Sequence, residues 1–174
     1  IKGDVPSDYD DCIVPGAFEN MRYLQSVIWP EKLKRIYDRA FAGCNLRGSL
    51  ILPEGLEYIG EYCFKFPNSF SGEIYIPSTV KHIGDYAFSN HDGNGANFTG
   101  ELSLPSTMDY LGTGAFSNCG NLTGKIIIPE GLTEVYPAWA TNMTGDIVVP
   151  QGVKIINGIG GKGSSLHLPD GVEK

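Results

Sequence analysis

The sequence predicts a β-rich solenoid: one domain of about six to seven stacked turns, made of short strands joined by tight or short helical turns. Three observations predict it. A short apolar run ending in Pro recurs seven times along the chain. Further apolar positions recur in phase with each of those Pro residues. Gly (23 copies) and Pro (11 copies) are spaced periodically rather than scattered. A fixed period outranks local propensity, because a unit that cannot bury its apolar face alone must stack on copies of itself.

In chain order, residues 1–12 are a lead-in and residues 13–172 carry the repeats. An incomplete first turn keeps Ile13 and Ala17-Phe18. The runs then follow: Val27-Ile28-Trp29-Pro30, Leu50-Ile51-Leu52-Pro53, Ile74-Tyr75-Ile76-Pro77 and Leu102-Ser103-Leu104-Pro105. Ile126-Ile127-Ile128-Pro129, Ile147-Val148-Val149-Pro150 and Leu166-His167-Leu168-Pro169 complete the set. Successive Pro residues are 23, 24, 28, 24, 21 and 19 positions apart. The three residues before each Pro alternate inward, outward, inward, which is strand periodicity. Pro lacks an N–H and ends the ladder.

Other positions keep the same phase. Three after each Pro stand Leu33, Leu56, Val80, Met108, Leu132, Val153 and Val172; six after stand Ile36, Ile59, Ile83, Leu111, Val135 and Ile156. This segment reads as a second short strand. Ten and eleven after Pro comes a small-aromatic pair, Ala40-Phe41, Cys63-Phe64, Ala87-Phe88 and Ala115-Phe116, read as a tight or short helical turn. Five before the next Pro comes Gly48, Gly72, Gly100, Gly124 or Gly145, expected in a turn that a side chain would obstruct. One unit reverses the pair as Trp139-Ala140, a volume-conserving exchange that places both positions in one packed layer. The last two units degenerate: Asn157-Gly158-Ile159-Gly160-Gly161 replaces the small-aromatic segment, and the final unit stops at Lys174.

The unit, apolar-x-apolar-Pro-x-x-Val/Leu-x-x-Ile-Gly-x-x-Ala-Phe, resembles the BspA-like family of leucine-rich repeats. Ile76 to Phe88 matches it almost position by position, and the units with Ile59-Gly60 and Leu111-Gly112 match nearly as well. The period also falls in the range of about 20–29 residues of leucine-rich repeats. The resemblance covers residues 13–172. It implies a curved solenoid, a bacterial origin and export to the cell surface, with adhesion or host-protein binding in some members. It brings no catalytic residues.

Composition narrows the partners. A net charge of −7 disfavours nucleic acid and anionic membrane surfaces, which are themselves negative. No apolar run approaches the roughly 18–20 residues that span a bilayer. The chain starts at Ile1 without Met or signal peptide, which fits a processed or trimmed chain and does not settle localisation; the export that the resemblance implies presumes a signal peptide already removed.

Candidate chemistry is sparse. Cys44 and Cys119 share a repeat position three turns apart, on the order of 14 Å by strand spacing, too far to bond. Cys44, Cys63 and Cys119 are expected as small core residues, Cys12 as outward-facing, and no disulfide is expected. The insertion Asn90-His91-Asp92-Gly93-Asn94-Gly95-Ala96-Asn97 has oxygen donors but a single carboxylate, so it reads as a bulging turn rather than a Ca²⁺ cradle. Asn97-Phe98-Thr99, Asn121-Leu122-Thr123 and Asn142-Met143-Thr144 read as turn residues of the repeat. Asp4, Asp8, Asp10 and Asp11 read as a solvated lead-in. His82, His91 and His167 fall at scattered phases, with no nucleophile set beside them by the repeat. No metal, cofactor or enzymatic activity is expected.

The functional clue is a row of outward strand residues two before each Pro: Ile28, Ile51, Tyr75, Ser103, Ile127, Val148 and His167. Outward positions on an open sheet are normally polar. Here most are aliphatic or aromatic, flanked by Ser26, Ser49, Glu73, Glu101, Lys125, Asp146 and Ser165. An apolar stripe with a polar rim suits a protein partner, host or envelope. The residues set forward as partner-binding are Ile28, Ile51, Tyr75, Ile127, Val148, Glu73, Glu101 and Lys125. β-Propensity alone would also place such residues in strands, leaving open a non-binding spacer in a larger surface protein. A second outward row, Arg35, Tyr58, His82, Tyr110, Glu134 and Ile155, offers two Tyr that could stack on a sugar ring. Self-association through an uncovered edge is a further option.

Overall fold

The computed structural model describes residues 11–65, 68–90, 98–124, 126–135, 146–156 and 165–170. Fourteen short strands make it up. One set repeats six residues after the Pro marks: β1 (Cys12–Ile13), β2 (Arg35–Ile36), β4 (Tyr58–Ile59), β6 (His82–Ile83), β8 (Tyr110–Leu111), β11 (Glu134–Val135) and β13 (Ile155–Ile156). The other set precedes or surrounds the marks: β3 (Arg47–Ile51), β5 (Ser69–Tyr75), β7 (Gly100–Glu101), β9 (Leu122–Thr123), β10 (Ile126–Ile127), β12 (Ile147–Val148) and β14 (Leu166–His167). Every pairing is parallel; most join equivalent positions of neighbouring turns, while β7–β9 and the start of β3–β5 pair positions two residues out of phase, as in Gly48 with Phe70 and Gly100 with Leu122. This is a solenoid in which one turn adds one strand to each ladder.

Six to seven turns were expected; the continuous ladder, β1-β2-β4-β6-β8, holds five. It opens after β8. Strands β11 and β13 pair only with each other, and a cleft of about 140 Å³ lies between the 109–111 and 132–134 segments. The Ala-Phe segments are tight turns, and no helix forms among the described residues.

The core follows the period. The aliphatic residues three and six after each Pro are buried from Leu33 to Val153, with Ile156 partly so. Phe41, Phe64, Phe88 and Phe116 are fully buried. Their rings stack at centroid spacings of 5.4 Å, 5.4 Å and 5.0 Å, and Phe18 extends the column at 5.0 Å. These spacings match the strand repeat of about 4.8 Å, so one aromatic per turn makes a continuous stack. Cys44, Cys63 and Cys119 are buried in the same core, and Cys12 is partly exposed at the head of the outward row.

The Gly five before Pro falls within a strand at Gly48, Gly72 and Gly100 and in a bend between β9 and β10 at Gly124. Gly48 lies inside β3 at φ 74°, where the register with β5 shifts between Gly48 and Leu50. Gly100 and Gly124 also take left-handed backbones, at φ 84° and 92°. A bulge of this kind needs a residue without a Cβ penalty. The reversed Trp139-Ala140 pair, the 91–97 stretch of the insertion and 157–161 lie outside the described residues.

Candidate functional faces

The first outward row sits where the period puts it. Ile28 is 97% exposed, Ile51 53%, Tyr75 45% and Ile127 56%; Val148 is half-buried, and Glu73 and Glu101 are exposed. Strand pairing carries the row in two stretches. Ile51 lies opposite Tyr75 in β3 and β5, and Ile127, Val148 and His167 stand in line across β10, β12 and β14. Ser103, between them, lies in no described strand. Ile28 also lies outside any strand, but the Trp29 indole Nε1 donates to the Ile51 carbonyl at 2.8 Å and ties that segment to β3. Lys125 falls outside the described residues.

Two contacts stiffen this face. The Tyr75 hydroxyl donates to Glu54 Oε1 at 2.6 Å, which pushes the phenol pKa up. The Glu73 N–H donates to Ser49 Oγ at 3.1 Å. An exposed aromatic held by its hydroxyl has less side-chain freedom to lose on binding.

The second outward row has a use that the sequence did not reveal. Tyr58, His82 and Tyr110 are register partners in β4, β6 and β8. Their rings stack on one another at 4.5 Å, with interplanar angles of 13° and 10°. Tyr37 closes on Tyr58 at 5.5 Å. The faces of Tyr58 and His82 are therefore spent within the column, and Tyr110 stacks on His82 at its end. Asp85 fixes the column's edge, accepting from Tyr110 Oη at 3.0 Å and from the Thr113 N–H at 2.8 Å. Burial lowers the His82 pKa, opposed by Asp109, Asp38 and Asp85.

A third feature lies along the turns. Nine after each Pro stand Arg39, Tyr62, Tyr86 and Gly114, all with left-handed backbones at φ 57°, 54°, 53° and 62°. Tyr62 and Tyr86 stack at 5.4 Å. Arg39 Cζ lies 5.4 Å and Lys65 Nζ 4.5 Å from the Tyr62 ring centre. Mixed residue identity hides this row from a search for apolar periodicity; the shared offset from Pro is the signal that finds it.

The buried thiols are held protonated, Cys119 pushed up to about 12 by burial. Among the described residues, no group of three or more His, Cys, Asp and Glu is placed to hold a metal ion. No helix among them is long and apolar enough to cross a membrane.

Comparison with known proteins agrees with this architecture. The family model for the BspA type leucine rich repeat region matches six copies, over residues 11–103 and 94–158. Among solved structures, the chain is similar to a leucine-rich repeat protein from Bacteroides ovatus, with 17% identity and a TM-score of 0.41. The match covers 89% of this chain and 60% of that one, so this chain spans well under two thirds of that protein's length. No curated protein matches the chain.

Proposed function

The chain belongs to the BspA-type leucine-rich repeat family, and from that premise we propose that it is a binding module of the bacterial surface. In this reading it is exported, with its signal peptide removed, and has no enzymatic role. It engages a protein partner, from the host or the cell envelope, through the outward strand row. The observation that carries the reading is the exposure of Ile28, Ile51 and Tyr75 on three successive turns, with exposed Ile127 continuing the row beyond Ser103. Burying such a row against a partner removes apolar surface from water at roughly 25 cal/mol per Å², and the hydroxyl-anchored Tyr75 supplies an aromatic contact of the kind that dominates interfaces.

The test compares wild type with Ile51→Glu, Tyr75→Glu and Ile127→Glu combined. Circular dichroism confirms folding, and biolayer interferometry reads binding to purified extracellular-matrix and cell-envelope proteins. A partner bound by wild type and lost by the folded variant supports the module. No partner across the panel favours a spacer, and undiminished binding by the variant removes the row from the interface. Light scattering on the same pair tells a self-association surface from one free for a foreign partner.

A further inference from the structure

A cleft of about 550 Å³ opens along the turn edge. It arises from missing side chain. One turn contributes Ala42-Gly43, where the preceding turn places Glu19-Asn20 and the following turn places Lys65. Gly43 cannot fill the gap, because its backbone is left-handed at φ 72° and a Cβ there would collide with the Asn20 amide.

The rim of the cleft is cationic. Arg22, Arg39 and Lys65 line it against a single carboxylate, Glu19. The whole chain carries −7, and two smaller clefts are acidic, one with Asp38, Glu61 and Asp85 and another with Asp109 and Glu134. A local excess of cations thus runs against the charge of the molecule. Tyr62 positions two of the three: Lys65 and Arg39 both lie over its ring. The Arg39 pairing with Glu19, at 3.9 Å, is long and exposed, and such pairs are weak. The guanidinium can therefore exchange this partner for a ligand at little cost.

Asn20, Arg39 and Tyr62 at the rim are left-handed without being Gly, as are Tyr86 and Asn118 on later turns, so this backbone belongs to the repeat and what sets the cleft apart is its side chains.

We propose that this cleft binds a short acidic saccharide, one whose sugar rings carry carboxylates. Guanidinium groups pair with carboxylates in bidentate fashion, and the Asn20 amide and Glu19 carboxylate offer a donor and acceptors for ring hydroxyls. The volume is that of a small-molecule site. Arg22, Arg39 and Lys65 come from three successive turns but converge on one hollow of about 550 Å³, a volume that suits a compact oligosaccharide better than an extended peptide. The site shares no residue with the outward strand row, so the two readings stand or fall separately.

Titration calorimetry of the full chain with trigalacturonate at low ionic strength tests it, with maltotriose and tetraglutamate as controls. The uronate trimer binds, maltotriose does not, and affinity falls as salt rises. Lys65→Gln and Arg39→Gln each weaken binding about tenfold, while Ile51→Glu leaves it unchanged; Arg22→Gln replaces Arg39→Gln if that variant does not fold. No heat at millimolar trigalacturonate, equal binding of maltotriose, tighter binding of tetraglutamate, or full affinity in Lys65→Gln overturns the proposal.

Discussion

Asn68 is fully buried and spends its whole amide on backbone. Its Oδ1 accepts from the Leu46 N–H at 3.1 Å, and its Nδ2 donates to the Phe41 and Phe64 carbonyls at 3.1 Å and 3.0 Å. It bonds three backbone groups on two successive turns, of which the Phe41 carbonyl also accepts from the Cys44 N–H at 3.4 Å. Asn68→Leu keeps the volume but removes all three bonds, so urea denaturation should show a loss of about 2–4 kcal/mol; a change under about 0.5 kcal/mol would mean that water replaces the amide. The buried thiols make a second prediction. Burial raises the pKa of Cys119 to about 12, and it raises those of Cys44 and Cys63 above the ordinary thiol value as well. The folded chain thus keeps protons that the unfolded chain releases. Stability from this source is complete below pH 9 and lost as pH rises toward 12. Cys119→Ala should flatten the decline in melting temperature across that range, and native titration with a thiol reagent at pH 8 should find Cys12 far ahead of the other three. That these Cys are core residues was legible, since they take repeat positions. Asn68 was not, although it stands two before Phe70 as Cys44 stands two before Leu46: its value lies in bonds to backbone, among them the Phe41 carbonyl of the preceding turn, and spacing does not report bonds.

At the scale of the element, each strand and turn is fixed by what the neighbouring turn leaves open. Gly60, Gly84 and Gly112 occupy one phase, and a Cβ at any of them would meet the backbone of the turn before; at Gly84 it would lie 2.6 Å from Glu61 N and 2.7 Å from Gly60 C. Gly84→Ala should cost about 1–3 kcal/mol through this overpacking, read as a shift in the thermal midpoint. In the aromatic stack, Phe64→Ala should cost about 3–5 kcal/mol because Phe64 has a ring on both sides. The same change at half-buried Phe18, at the end of the column, should cost much less. The His82 column adds a pH signature. Its folded pKa lies below 6.5, so its contribution is present above pH 6.5 and fades as pH falls and the unfolded chain takes up the proton. His82→Phe should remove that acid-side loss. The strands, the inward residues and the Phe positions were all readable from spacing. The Tyr58–His82–Tyr110 column was visible as a row, but its purpose was not: spacing reports which side chains are adjacent, while ring orientation decides whether their faces point at one another or at a ligand.

At the scale of the molecule, the ladder's opening after β8 divides the solenoid into a five-strand ladder and a shorter paired region. In a stack where each turn touches only its neighbours, cooperativity follows the interfaces. Hydrogen exchange should therefore show uniform slow exchange through Leu111 and a step to faster exchange from Leu132 onward; a single rate across both would show that side-chain packing bridges the opening. The stacked architecture was legible because it is written seven times. The cationic cleft was not, because a hollow is made by side chains that are absent, here Ala42 and Gly43, and no residue marks it. The phenylalanine column has one more consequence. Its rings repeat at about 5 Å, so each is both the floor of one turn and the ceiling of the next, and the surfaces it joins are interchangeable. A duplicated stretch of 23 or 24 residues would slot into the column without any other core residue having to change. Length in such a molecule can be inherited as a count, and a lineage could extend its reach from the cell one ring at a time while every existing contact stays as it was.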